Sequence, residues 1–294
     1  MSGSSRIAFV ALLLLFGACS GSGDSFDPEL TIVATNTILG DFVANVAGAD
    51  AAVVVLTPVG ADPHDFRPSA SQVADINGAD LVVANGLGLE EGIEDVLEAA
   101  EEDGVRIVRI SDDADSVDEL DPHIWLDPVL MAAATDMIAR ELAAINGSVD
   151  WMSRAERYSD QLLALDDEIR DLLSVIPEGE RKLVTNHDSL SYFADRYELE
   201  VIGTVIPGRS TLGNPSSAEL ASLVDLMRGT GSTAIFAETT QPTALAEAIA
   251  AELGTDVEVV SLYTGSVGEP GSGAETLVGM LRINASRIAG ALSP

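Results

Sequence analysis

The chain has 294 residues, with 48 Asp and Glu against 15 Lys and Arg and a formal net charge of -33. That balance argues against nucleic acid or an anionic membrane surface as a partner, whereas a diffuse negative field concentrates cations. With 47% hydrophobic residues the chain is not disordered, and its single cysteine leaves no intramolecular disulfide to staple it.

Residues 1–26 read as an address rather than as structure. Arg6 precedes the apolar run Ile7 to Phe16, which is too short to span a bilayer but has the length of a secretory h-region. The run ends in Phe16-Gly17-Ala18-Cys19, which resembles a bacterial lipobox with Phe where Leu is usual. On this reading residues 1–18 are a signal peptide. Cys19 is lipidated and becomes the first mature residue, and 19–28, with Gly21-Ser22-Gly23-Asp24-Ser25, form a flexible tether. The protein would then be exported and lipid-anchored on the outer face of the cytoplasmic membrane. An ordinary cleaved signal peptide with an incidental cysteine is the alternative.

The remainder of the chain is long enough for one large domain or two small ones. Apolar runs at Thr31–Thr35, Ala52–Leu56, Leu81–Ala84 and Val105–Ile110 alternate with helical patterns. The first helix runs from Ile38 to Val46 and stops at Gly48. The second begins near Ser69, the third carries Ile93, Val96 and Leu97, and the fourth opens at Asp127-Pro128, an N-cap acid followed by proline at the first helical position. Four strand-helix units predict a parallel, doubly wound lobe over 29–148.

From Val149 to Ile176 the residues Trp151, Tyr158, Leu162, Leu165, Ile169 and Leu172 recur at helical spacing with no Gly or Pro inside. One helix of that length is roughly 40 Å long and would join two lobes as a strut over 149–177; two shorter helices of a single domain are the alternative. The second half, 178–294, repeats the scheme. Runs at Lys182–Thr185, Val201–Ile206, Thr233–Ala237 and Val257–Leu262 precede helices through Tyr192 and Phe193, from a capping box at Ser216 to Glu219, from Pro242, and over Ala274–Ala291. The expected fold is α/β, with two lobes, each a four-stranded parallel sheet flanked by helices, joined by one long helix.

The chain has three histidines, and each comes after a strand-like run. In open parallel sheets ligands bind beyond the carboxyl ends of the strands. His64 lies after the second strand, His123 after the fourth and His187 after the fifth, so facing lobes would bring all three into one cleft. Neutral imidazole suits zinc and other late first-row metals, and its second ring nitrogen needs a partner. Asp62, Asp65, Asp121 and Asp188 are close enough in sequence to serve. A lone histidine is more often a plain core or surface residue, but three at strand ends make coincidence a poor account.

Four stretches carry a specific resemblance. Thr57-Pro58 through Pro63-His64-Asp65-Phe66-Arg67-Pro68-Ser69, Ala79 through Gly86-Leu87-Gly88-Leu89-Glu90, Asp121-Pro122-His123-Ile124-Trp125-Leu126-Asp127-Pro128, and Asn186-His187-Asp188-Ser189 through Phe193 resemble the zinc/manganese solute-binding proteins of bacterial ABC transporters. The resemblance implies two lobes joined by a long helix, with metal held between them and handed to an ABC permease in the membrane. His187 stands where manganese-preferring members carry a carboxylate, so the resemblance leans toward Zn2+, with Mn2+ second. The His-rich loop of many zinc importers is replaced by the acidic segment Ser111 to Asp121. Members also supply a fourth, acidic ligand in a Tyr-Thr-Asp-Ser turn after the last strand; here that turn reads Tyr263-Thr264-Gly265-Ser266. Glu238 or Asp62, as fourth ligand or as partner to a ring, or else a water, could take its place.

Capture and delivery of a metal by a lipid-tethered monomer is therefore the leading expectation. An open fourth position would also suit a zinc hydrolase, yet no motif places an acid or base to activate a bound water. Manganese or a metal chelate as cargo, or an adhesin-like surface role, complete the alternatives. A bulky chelate should need aromatic or basic side chains in the cleft, and aromatics make up only 4% of the chain.

Overall fold

Short apolar runs that are buried on both faces can pair only side by side in a sheet, and the eight runs do so in two separate sheets. The computed structural model describes residues 30–112, 121–254 and 256–293. The leader, Cys19 and the tether expected over 1–28 lie outside the described residues, as do 113–120 of the acidic segment.

The first sheet contains β1 (Leu30–Ala34), β2 (Ala51–Val55), β3 (Leu81–Ala84) and β4 (Ile107–Arg109) in the order β2-β1-β3-β4. The second contains β5 (Lys182–Thr185), β6 (Glu200–Thr204), β7 (Ala234–Glu238) and β8 (Glu258–Leu262) in the matching order β6-β5-β7-β8. Every pairing is parallel. The inner strands β1, β3, β5 and β7 are buried almost throughout, whereas the edge strands are half-covered. Burial on both faces accounts for the apolar centres of the inner strands, whose charged residues Lys182 and Glu238 stand at strand ends.

Helices flank both sheets: α1 (Thr37–Ala47), α2 (Ala70–Asn77), α3 (Glu94–Glu102) and α4 (Pro128–Ile145) with the first, and α6 (Ser191–Arg196), α7 (Ser217–Thr230), α8 (Ala244–Leu253) and α9 (Leu277–Leu292) with the second. Their starts obey the capping chemistry. Ser216 and Glu219 form the expected capping box on α7, and Ser69 forms one with Gln72 on α2. Asp127 accepts from Val129 N at 2.7 Å ahead of Pro128. The last helix begins three residues later than periodicity suggests, because the Thr276 hydroxyl takes the amide of Gly279 at 3.0 Å and caps it there.

The strut is α5 (Trp151–Leu173), a helix of 23 residues and so about 34 Å long. It is shorter at both ends than the expected 149–176. Asp150 caps its start by accepting from Ser153 N, and Pro177 lies just beyond its end. It packs against α1 and α4 on one side and α9 on the other. Trp151, Ala155, Tyr158, Leu162, Leu165, Ile169 and Leu173 belong to one apolar core that also includes residues of both sheets. Arg282 of α9 donates to both carboxylate oxygens of Glu168 on α5, at 2.6 and 2.8 Å. At the middle of α5, Leu162 is 0% exposed and its neighbour Leu163 is 43% exposed. Leu162→Ala should therefore lower stability by about 2–5 kcal/mol in urea unfolding, and Leu163→Ala by less than about 0.5 kcal/mol.

Candidate metal centre

Loops leaving the carboxyl ends of β2, β4 and β5 bring His64, His123 and His187 together between the two sheets. One ring nitrogen from each lies within 4.8 Å of the others. Among the described residues this is the group of three or more His, Cys, Asp or Glu side chains placed to hold an ion. The three side chains are 3%, 2% and 3% exposed, respectively, so the site is closed over. His64 Nε2 lies 3.4 Å from His123 Nε2, and His187 Nε2 lies 3.1 Å from the same atom. Two nitrogens bound to one tetrahedral zinc at 2.0–2.1 Å would be about 3.3 Å apart. The spacing of the trio fits a single metal ion.

A carboxylate lies beside each outward ring nitrogen. His123 Nδ1 is 2.8 Å from Asp121 Oδ1, which also accepts the His123 backbone amide at 3.1 Å. His187 Nδ1 is 2.5 Å from Glu238 Oε1 at the end of β7, and His64 Nδ1 is 3.6 Å from Glu91 Oε1. The first of these contacts is a directed hydrogen bond; the other two are ion-pair contacts without that alignment. A carboxylate on this side holds the proton at Nδ1, leaving the Nε2 lone pair free for a metal.

The loops are themselves held. Glu90 is buried and accepts from Thr35 Oγ1 at 2.8 Å, Asn85 N at 2.7 Å and Gly86 N at 3.1 Å, which ties the ends of β1 and β3 together. The Asn85 side-chain amide then donates to the carbonyl of Pro122 at 2.8 Å, fixing the residue before His123. Trp125 stands edge-on to the His123 ring at 5.2 Å and donates its indole N–H to the carbonyl of Thr264 at 2.7 Å, across to the second half. Thr185 Oγ1 donates to the His187 carbonyl at 2.7 Å.

Of the acids expected to serve the rings, Asp121 does so. Asp62 takes the backbone amide of His64 at 3.0 Å rather than a ring. Asp188 accepts from Ser191 Oγ at 2.6 Å, and Asp65 is exposed. Glu238 lies on the Nδ1 side of His187, away from the nitrogens that converge, and accepts from Ser189 Oγ at 3.1 Å. Glu91 is a partner that sequence distance concealed, since it is far along the chain from His64 and no local pattern links the two. Gly265 is buried, and a Cβ there would meet Pro63 Cδ at 3.1 Å and Thr240 Oγ1 at 3.3 Å. The turn after β8 therefore packs its bare backbone against the residue preceding His64.

Burial pushes the pKa of His64 down, and it pushes that of His123 well down, reinforced by the neighbouring rings. For His187 burial also acts downward and is the largest single influence, but the carboxylates of Glu238, Asp62 and Asp188 together outweigh it and the net shift is upward. Glu238, raised by burial, is held below the usual carboxylate range by His187. Two of the three rings are thus held neutral, the form that ligates.

Comparison with known proteins gives consistent results. The family profile described as zinc-uptake complex component A, periplasmic, matches residues 32–291. The chain is 30% identical over 295 residues to the manganese-binding lipoprotein MntA of Halalkalibacterium halodurans, covering 98% of this chain and 97% of that one. Its structure is similar to that of the periplasmic zinc binding protein TroA from Treponema pallidum, with a TM-score of 0.81 and 29% identity over 90% of this chain and 99% of the other. The Mn-bound periplasmic metal binding protein from Candidatus Liberibacter asiaticus shares the fold, with a TM-score of 0.78 at 22% identity over 90% of this chain and all of that one (100%).

The direction of the pKa shifts sets how the metal-free protein responds to acid. His64 and His123 bind protons more readily when unfolded, so the stability they contribute is lost as pH falls below about 6.5. His187 has the opposite sign: its contribution is full below the ordinary pKa and is lost as pH rises through the raised one. His64→Gln removes one of the two acid-sensitive groups. Between pH 6.5 and 5 its urea-unfolding free energy should fall less steeply than the wild type's, by up to about 1.4 kcal/mol per pH unit.

Proposed function

Because this chain belongs to the family of the periplasmic zinc-uptake complex component A, we propose that it captures a divalent transition metal outside the cytoplasmic membrane and delivers it to an ABC importer. His64, His123 and His187 are the ligands. The observation that carries this reading is the convergence of three buried Nε2 atoms at 3.1 and 3.4 Å, each ring backed by a carboxylate.

Zinc is the cargo that the donor set supports best. Three neutral imidazoles suit zinc, whereas manganese favours carboxylate and water oxygens. The carboxylates nearest the trio lie beside Nδ1 atoms, and the turn that holds an acid in the family carries Gly265 instead. The fourth position on the metal is then left to water, with Glu238 supplying negative charge from behind His187. Manganese is the second reading, favoured by the name of the MntA relative. A hydrolytic role has less to support it, because carboxylates that orient rings are not placed to take a proton from a metal-bound water.

Delivery implies a membrane permease as partner, and the protein acts as a monomer tethered through Cys19 on the outer face of the membrane. Among the described residues no helix is long and apolar enough to cross a membrane, so attachment would rest on the lipidated leader. The two halves act as an N-terminal lobe over 29–148 and a C-terminal lobe over 178–294, with the helix between them as the spacer.

Calorimetric titration of metal-free protein tests the reading. Zn2+ should bind one to one and at least about tenfold more tightly than Mn2+, a difference of on the order of 1.4 kcal/mol or more, because three imidazoles suit zinc better than manganese. His123→Ala should weaken zinc by about a hundredfold or more. Tighter binding of manganese would reverse the assignment, and failure of both metals to bind would overturn the function.

A further inference from the structure

We propose that Asp62 is a positioning residue that clasps the His64 loop to the second half of the molecule and thereby sets the rates at which metal enters and leaves. The proposal rests on the metal-capture reading above. Asp62 Oδ1 accepts the backbone amide of His64 at 3.0 Å, so the carboxylate is fixed to the ligand's own backbone. Its other oxygen, Oδ2, accepts both the Thr211 hydroxyl and the Gln241 side-chain amide, each at 2.5 Å. Thr211 lies in the loop after β6 and Gln241 in the loop after β7. One ionised acceptor thus joins three loops from two sheets, and hydrogen bonds to a charged acceptor are the stronger kind.

Two further observations give the clasp its role. First, the three side chains are at most 3% exposed, so no ion can reach or leave Nε2 unless the loops part. Contacts that cross between the halves at this point must break first. Second, the ligands are shared unevenly. His64 and His123 come from the first half and His187 alone from the second, with Gly265 contributing no side chain. The metal itself therefore bridges the halves through a single histidine, and Asp62 supplies a second tie at the same loop. The close approach of Pro63 to the bare Gly265 turn keeps Asp62 within reach of its partners.

The clasp uses none of the ring nitrogens that would hold a metal, so it stabilises the closed form whether the site is empty or loaded. Removing it should accelerate entry and exit together and leave affinity nearly unchanged, because a shift shared by both states cancels in the equilibrium. A metal ligand behaves differently: its loss would weaken binding and raise the exit rate alone.

Stopped-flow measurements on the full-length protein distinguish these cases, using Zn2+ for entry and excess EDTA for exit, with tryptophan fluorescence as the signal, Trp125 being the tryptophan against His123 and Trp151 a second emitter. Asp62→Asn keeps an oxygen for the His64 amide but cannot accept from Thr211 and Gln241. It should raise both rates about tenfold while Kd moves by less than about threefold. Gln241→Ala, which leaves the His64 loop untouched, should give a smaller change of the same kind, and the double variant should be no faster than Asp62→Asn. Unchanged rates in both single variants would overturn the clasp, as would a hundredfold loss of affinity confined to the exit rate in Asp62→Asn. Amide hydrogen exchange over residues 60–66 of the metal-free protein gives a readout that needs no metal. Faster exchange in both variants is expected, and equal protection would overturn the clasp even if the wild type bound no zinc, an outcome that would separately refute the metal-capture reading.

Discussion

Three imidazoles, with His64 and His187 each reaching the same nitrogen of His123 at 3.4 and 3.1 Å, impose the constraint around which the site is built. Rings this close cannot all carry a proton on the facing nitrogen, and burial makes the charged form costly for His64 and His123. Asp121, hydrogen-bonded to Nδ1 of His123, fixes which nitrogen of that ring keeps its proton, while Glu238 and Glu91 stand beside the outward nitrogens of His187 and His64. Asp121 bonds the backbone and ring of His123, and the neighbouring Pro122 carbonyl is held by Asn85. The loop of Asn85 is in turn held by the buried Glu90.

The three rings meet where a pair of parallel sheets can place them. Each sheet has its first and third strands side by side, so the loops after neighbouring strands run to opposite sides and leave a crevice between them. Two such sheets with matching order present their crevices to each other. The helix α5 belongs to a core shared by both sheets, which limits how far they can separate. Polar ties between the halves lie close to the three histidines: Asp62 to Thr211 and Gln241, Trp125 to Thr264, and Thr37 at the start of α1 to Ser266 at 3.1 Å.

The missing acid after β8 has a structural counterpart. At Gly265 the backbone comes within close packing distance of Pro63 and Thr240, filling space that a side chain would occupy. On the proposed reading, the negative charge that such a side chain would bring comes from Glu238 of β7, which lies beside Nδ1 of His187, one ring removed from the converging nitrogens. A donor set of neutral nitrogens with its charge held further out differs in hardness from one with a carboxylate on the metal, and it is on this difference that zinc and manganese would be sorted.

The sequence by itself determined most of the secondary structure, because the signals were local. Apolar runs marked the eight strands, capping residues marked where α2, α4 and α7 begin, and the Trp151 to Leu172 periodicity marked α5, although its ends were overestimated where Asp150 and Pro177 cut it short. The candidate ligands were legible too, since a chain with three histidines, all at strand ends, leaves few other roles for them. Asp121 was within reach of reasoning because it sits two residues from His123. The tertiary structure alone decided that the rings meet at 3.1 and 3.4 Å, that Glu91 stands behind His64, that Glu238 faces Nδ1 of His187, and that Asp62 reaches Thr211 and Gln241. Those contacts join residues far apart in the chain, and their geometry comes from how two sheets face each other, which no local pattern of side chains encodes.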